Sequence, residues 1–297
     1  MRARPAAVRP RRFVGPLGAL TCVAMLVCGC ARGRDATGAA PGPKAAPADA
    51  SAGCAGTPRP AARGERREIT VADEPRSYVV DAPTSDHTAP LPLILAFHGF
   101  RGNADGLRRG TGMIGLAARA AAVVVHPDGH EGVHLLGTVG RGWDLRADET
   151  RDLDFVRTLL DALERERCID RRRIYATGMS NGGFFANLVG CRLADRVAAV
   201  APVAGAMPLP GCTPPHPIAV LLTFGRADDI VPPTLMRSAR DWWATVERCG
   251  GGRERDGCTH FEGCAADLVS CEGPQAHSWP PEATERIWRF FEAHPRA

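Results

Sequence analysis

The pattern of apolar and polar positions changes character twice along the chain. Residues 1–29 open on arginines and pass into an apolar stretch that Gly15, Pro16 and Gly18 interrupt. Residues 31–66 show no hydrophobic period; Ala, Gly, Pro and Arg dominate, the composition of a linker. From residue 67 onward, short apolar runs alternate with amphipathic stretches to the end. Runs at 68–71, 76–81, 92–97, 122–126, 173–177, 197–203 and 218–224 predict strands, with a weaker one at 266–270. Several are continuously apolar, as strands covered on both faces are. Helices are predicted over 152–168, 181–192, 234–248 and 282–293. The first is clearest, because Leu153, Val156, Leu159, Leu160 and Leu163 share one face. Only Ala72-Asp73-Glu74-Pro75 separates the two opening strands, which predicts an antiparallel hairpin leading into the sheet.

Strand and helix in alternation predict an α/β domain: a mainly parallel central sheet of about eight strands, flanked by helices on both faces. The expected organisation is an export signal over 1–29, a disordered linker over 30–66 and one folded domain over 67–297.

Composition changes this picture little. The chain is 44% hydrophobic and 24% charged, with a formal net charge of +4. Arg2, Arg4, Arg9, Arg11 and Arg12 fall within 1–29, where there is no acid, and they exceed the whole excess. The rest of the chain is not basic, so charge gives no case for a nucleic-acid partner. The apolar run is too short and broken to span a membrane and reads as a signal peptide. It ends Leu26-Val27-Cys28-Gly29-Cys30, which is similar to a lipoprotein cleavage box with Cys30 as the lipidated residue; the other reading is a cleaved signal with incidental cysteines. Arg11-Arg12 fits twin-arginine export poorly. Of 11 cysteines, eight follow Cys30. An even number in an exported chain predicts disulfides worth about 2–4 kcal/mol each. Their pairing cannot be read from spacing.

The chemistry concentrates at Gly178-Met179-Ser180-Asn181-Gly182, a G-x-S-x-G pentapeptide between a strand and a helix. That context makes it a nucleophile elbow: glycines allow close packing around the turn, and the helix directs free N–H groups at the serine. A serine nucleophile needs a base and an orienting acid, which follow in the order acid, then histidine. Of nine histidines, His260, His277 and His294 remain once that order is imposed. His294 lies in the tail and His260 between cysteines. His277 lies in a turn-rich loop before the last helix, where the base belongs. The acid is expected at Asp228, after the strand at 218–224, with the adjacent Asp229 as rival. Backbone N–H groups of Asn181 and of Phe100, in the loop His98-Gly99-Phe100, are the expected oxyanion donors. His98 is expected to hold that loop.

Together these pieces resemble the polyhydroxybutyrate depolymerase-like esterases, which include feruloyl and acetylxylan esterases. Further markers are Pro127-Asp128-Gly129, Gly142-Trp143-Asp144, Asp152-Leu153-Asp154-Phe155, Cys168-Ile169-Asp170 and His277-Ser278-Trp279-Pro280. The resemblance implies an α/β-hydrolase fold, a triad of Ser180, Asp228 and His277, and aromatic residues near the acyl pocket, for which Trp143 and Trp279 are candidates with core packing as the alternative. Phe224-Gly225 stands where the family often has His-Gly. Gly273-Pro274-Gln275-Ala276-His277 stands where it often has a glycine run before the histidine.

His130-Glu131-Gly132-Val133-His134 matches the H-E-x-x-H zinc motif, which works only on a helix; the surrounding glycines and Pro127 argue against one. No metal or cofactor is expected. The expected partner is a small ester or an ester-bearing polysaccharide or polyester, acted on by a monomer that meets a membrane only through a lipid anchor. The rival readings are a serine peptidase of the same fold and a non-catalytic surface lipoprotein that binds without turnover.

Overall fold

A computed structural model describes residues 49–296, apart from 58, 84–88, 136, 147, 149 and 210. The export segment and Cys30 lie outside the described residues.

The ten-stranded sheet runs in the order β1 (Arg63–Val71), β2 (Glu74–Asp81), β4 (Val123–Pro127), β3 (Leu91–Phe97), β7 (Ile169–Met179), β8 (Ala199–Val203), β9 (Ala219–Gly225), β12 (Leu268–Gly273), β11 (Cys258–Phe261), β10 (Gly252–Arg255). The six strands from β4 to β12 are parallel, and two antiparallel strands close each side. The sheet is therefore larger and more mixed than expected. β4, β8 and β9 are buried along their whole length, which explains their predominantly apolar sequences. The outermost strands are exposed and charged: β1 carries Arg63, Glu65, Arg66, Arg67 and Glu68, and β10 reads Gly-Arg-Glu-Arg. Such edges discourage pairing with another chain.

Helices cover both faces. On one lie α3 (Arg151–Glu166), α4 (Asn181–Arg192) and α5 (Pro233–Val246), whose Leu159, Phe185 and Trp243 join a core with Leu93, Leu95 and Ala176 of the strands. On the other lie α2 (Met113–Arg119) and α6 (Ala283–Ala293), whose Leu116 and Ile287 pack with Ile94 and Tyr175. Ile174, Tyr175 and Ala176 thus alternate between the two cores, as consecutive strand residues must. A short α1 (Ala104–Gly110) precedes α2, and β5 (His130–Leu135) pairs with β6 (Thr138–Gly142) in a separate hairpin.

Folded structure begins earlier than composition suggested. Within the expected linker, residues 52–55 form a 3-10 turn, Ser51 is buried, and Ser51 Oγ donates to Arg167 O at 2.7 Å and accepts from Ile169 N at 2.9 Å. Cys54 is bonded to Cys168. A polar strap held by backbone bonds and one disulfide has no hydrophobic period to announce it. The other pairs are Cys191–Cys212, Cys249–Cys264 and Cys258–Cys271, so all eight downstream cysteines are paired. Four disulfides belong to an exported protein working outside the reducing cytosol.

Candidate active site

In a parallel sheet the side chains that do chemistry gather beyond the C-terminal ends of the strands. β7 ends at Met179, and Ser180 turns the chain into α4. Its backbone, at φ 56° and ψ −125°, lies outside the usual region for a side-chain-bearing residue. Ser180 N donates to Val203 O at 3.0 Å, tying the turn to β8. The turn fits because Gly182 lacks a side chain: a Cβ there would meet Phe97 O at 2.1 Å. Asn181 begins α4, so its N–H has no acceptor within the helix.

The loop after β3 lies against this turn. A Cβ on Gly99 would stand 3.3 Å from Ser180 Cβ. His98 is buried and holds the loop: its Nδ1–H donates to Gly99 O at 2.7 Å, and its Nε2 accepts from Gly129 N at 2.9 Å. Burial lowers its pKa, which suits a ring that bonds only when neutral. Asp128 supports the next turn. Its Oδ1 accepts from Ala104 N at 2.7 Å, and its Oδ2 from Arg66 at 2.6 Å and Ser77 at 2.8 Å. Burial alone would raise that carboxyl, but these bonds hold it below the ordinary range.

Asp228 and His277 meet. Imidazole Nδ1–H donates to Asp228 Oδ2 at 2.8 Å, and Asp228 Oδ1 accepts from Ile230 N at 3.0 Å and Val231 N at 2.8 Å. The Asp228 side chain is fully buried; Asp229 is exposed. The His277 loop docks on the end of β9 because residue 225 is glycine: a Cβ there would strike Gln275 O at 1.8 Å. Arg226 N donates to Gly273 O at 2.8 Å, and Gln275 Nε2 to Phe224 O at 3.2 Å. The residues where this chain departs from the family it resembles therefore build the loop that carries His277.

Of the two aromatic residues considered for the pocket, Trp143 takes the core-packing alternative and Trp279 is packed on one side only. Trp143 is fully buried, stacked on Phe185 at 4.7 Å and edge-on to Phe97 at 5.0 Å, so it packs the core and lines no open cleft. Trp279 is half-buried and packs against the α2 and α6 core, its Nε1 donating to Thr284 Oγ1 at 3.0 Å. The H-E-x-x-H sequence lies on β5, where residues four apart are separated by roughly 13 Å, too far for one ion. Among the described residues, no group of three or more His, Cys, Asp or Glu side chains is arranged to hold a metal. Sequence reasoning missed the Asp128 support, although Pro127-Asp128-Gly129 marked its position.

Residues 76–211 match the family model described as esterase PHB depolymerase. That segment carries Phe100, Ser180 and Asn181; Asp228 and His277 lie beyond it. The chain is similar to the putative esterase NocK of Nocardia uniformis subsp. tsuyamanensis, 33% identical over 177 residues that cover 56% of this chain and 49% of the relative. It is 28% identical over 218 residues to feruloyl esterase B of Piromyces equi, covering 64% of this chain and 39% of the relative. The chain thus spans half or less of the length of these curated relatives. In structure it resembles the acetyl xylan esterase from Aspergillus awamori, with a TM-score of 0.60, 13% identity and coverage of 77% of this chain and 99% of the other. That likeness is one of fold. The elbow serine after the central strand lies within the segment that matches this family, on a mixed sheet flanked by helices whose fold is that of the esterases it resembles.

Proposed function

We propose that the protein is an exported serine esterase that hydrolyses carboxylic esters through Ser180, His277 and Asp228. The observation that carries this reading is the buried Asp228 carboxylate held by two backbone N–H groups and turned toward His277 Nδ1. That bond fixes the tautomer with Nε2 as acceptor, the form a general base needs. In the first step Ser180 Oγ attacks the ester carbonyl carbon as its proton passes to His277 Nε2. The oxyanion accepts hydrogen bonds from the N–H groups of Asn181 and Phe100. His277 then protonates the leaving alkoxide, and an acyl-Ser180 remains. Water, deprotonated by the same imidazole, releases the acid and restores the serine. Asp228 stays ionised and stabilises the imidazolium throughout.

The relatives named feruloyl esterase and acetyl xylan esterase favour an aryl or acetyl ester on a plant polysaccharide as substrate. Cys30 is proposed as the lipidated residue that tethers the enzyme to the outer face of the membrane. Hydrolysis of methyl ferulate, acetylated xylan and a hydroxybutyrate oligomer, each compared with Ser180→Ala, tests the reading. The expected result is turnover of the first or second, lost by roughly 10⁶-fold in the variant. Turnover that survives in Ser180→Ala would rule the assignment out.

A further inference from the structure

We propose that Trp143 is a positioning residue that holds the two backbone donors of the oxyanion site at a fixed separation; the proposal rests on the esterase reading above. The donors belong to different elements. Phe100 lies on the loop beyond β3 and Asn181 at the start of α4, and strand pairing ends before either. Trp143 reaches both. Its backbone N donates to Asn181 Oδ1 at 2.8 Å, and its backbone O accepts from Asn181 Nδ2 at 3.0 Å, a closed reciprocal pair. Its indole Nε1–H donates to His98 O at 2.9 Å, two residues before Phe100.

The ring bridges the same two elements, resting on Phe185 of α4 and Phe97 of β3. Gly142 sits tightly in this wedge: a Cβ there would be 2.8 Å from Asn181 Oδ1 and 3.0 Å from Phe100 Cδ2. An apolar core role would require none of these three hydrogen bonds. All of them end on the segments that carry the oxyanion donors. Preorganised donors act by being in place before charge develops, so loosening one should weaken the transition state and leave substrate binding almost unchanged.

Trp143→Phe keeps an aromatic ring between Phe97 and Phe185 and removes the indole N–H. Asn181→Asp keeps an acceptor for Trp143 N–H but turns an oxygen toward Trp143 O. For each variant, kcat and KM on a p-nitrophenyl ester and the affinity for an aryl boronic acid, a tetrahedral mimic, are measured beside the melting temperature. The expected result is a kcat lower by about 10- to 100-fold, KM within about twofold, and boronate affinity falling in step with kcat/KM. Folded variants with unchanged kcat and boronate affinity, or with only a raised KM, would overturn the proposal. If Trp143→Phe does not fold, Asn181→Asp decides by the same readouts. A wild type that hydrolyses no ester would overturn the esterase reading and this proposal together; an active wild type with insensitive variants overturns this proposal alone.

Discussion

Asp228 and Asp229 are neighbours in sequence with opposite surroundings. Asp228 is buried with three hydrogen bonds to its oxygens, and Asp229 faces solvent. Asp228→Asn should therefore lower kcat by roughly 10⁴-fold by disturbing the imidazole tautomer, whereas Asp229→Asn should stay within about twofold. Steady-state kinetics on one p-nitrophenyl ester checks both. His126 allows a second residue-scale prediction. It is completely buried, neither ring nitrogen has a hydrogen-bond partner, and burial lowers its pKa from 6.5 to about 4. Below pH 6.5 the unfolded ring takes up a proton that the folded ring refuses until about pH 4. Stability from this site is therefore intact above pH 6.5 and falls as the pH drops toward 4, by about 3 kcal/mol. Urea unfolding at pH 7 and pH 4.5 should show the loss, and His126→Phe should flatten it. At this scale the sequence was readable where chain order constrains chemistry. Asp228 and His277 were expected together from order and loop context, and the two side chains meet at 2.8 Å. Trp143 does not, because a tryptophan beside a glycine turn has the same sequence signature whether its ring faces a cleft or the core.

Elements were legible where they bury a continuous apolar face. The runs behind β3, β4, β8 and β9 and the periodic stripe of α3 are of this kind. The helices α1 and α2 were missed because seven residues each are too few to establish a helical period. The strands β10 and β11 were missed because β10 is exposed throughout and offers no alternation. What joins elements was less legible still. Arg76 of β2 and Asp152 of α3 form a buried ion pair at 2.7 Å, with the guanidinium 4.1 Å from the Phe155 ring and Asp152 Oδ2 accepting from Asp144 N at 2.8 Å. Removing one partner leaves a buried charge without its counterpart. Asp152→Ala should cost about 3–5 kcal/mol in urea unfolding, and Arg76→Met with Asp152→Leu together should cost less than Asp152→Ala alone.

The described residues form a sheet with the proposed catalytic residues beyond the C-terminal ends of β7, β9 and β12, while a strap from residues 49–55 is fastened at the other end of β7, beside Cys168 and Ile169. Composition set the domain start at residue 67, and the strap shows why that is too late. A chain beginning at Asp49 keeps the strap and its disulfide. One beginning at Arg67 loses the Cys54–Cys168 bond and part of β1, and should be less stable by about 2–5 kcal/mol in the urea midpoint comparison. Disulfide pairing itself was beyond reach of the sequence, since eight cysteines allow many connectivities. The overall α/β arrangement was within reach, because alternating strands and helices leave few ways to cover both faces of a sheet. The claim on which all of this bears is that Ser180 is the nucleophile. Intact-mass and peptide mapping after treatment with a fluorophosphonate tests it most directly. The account predicts one adduct, on the peptide containing Ser180, with ester hydrolysis lost in proportion to labelling and no adduct in Ser180→Ala. No adduct on a folded, ester-hydrolysing protein, or an adduct that persists in Ser180→Ala, would contradict it.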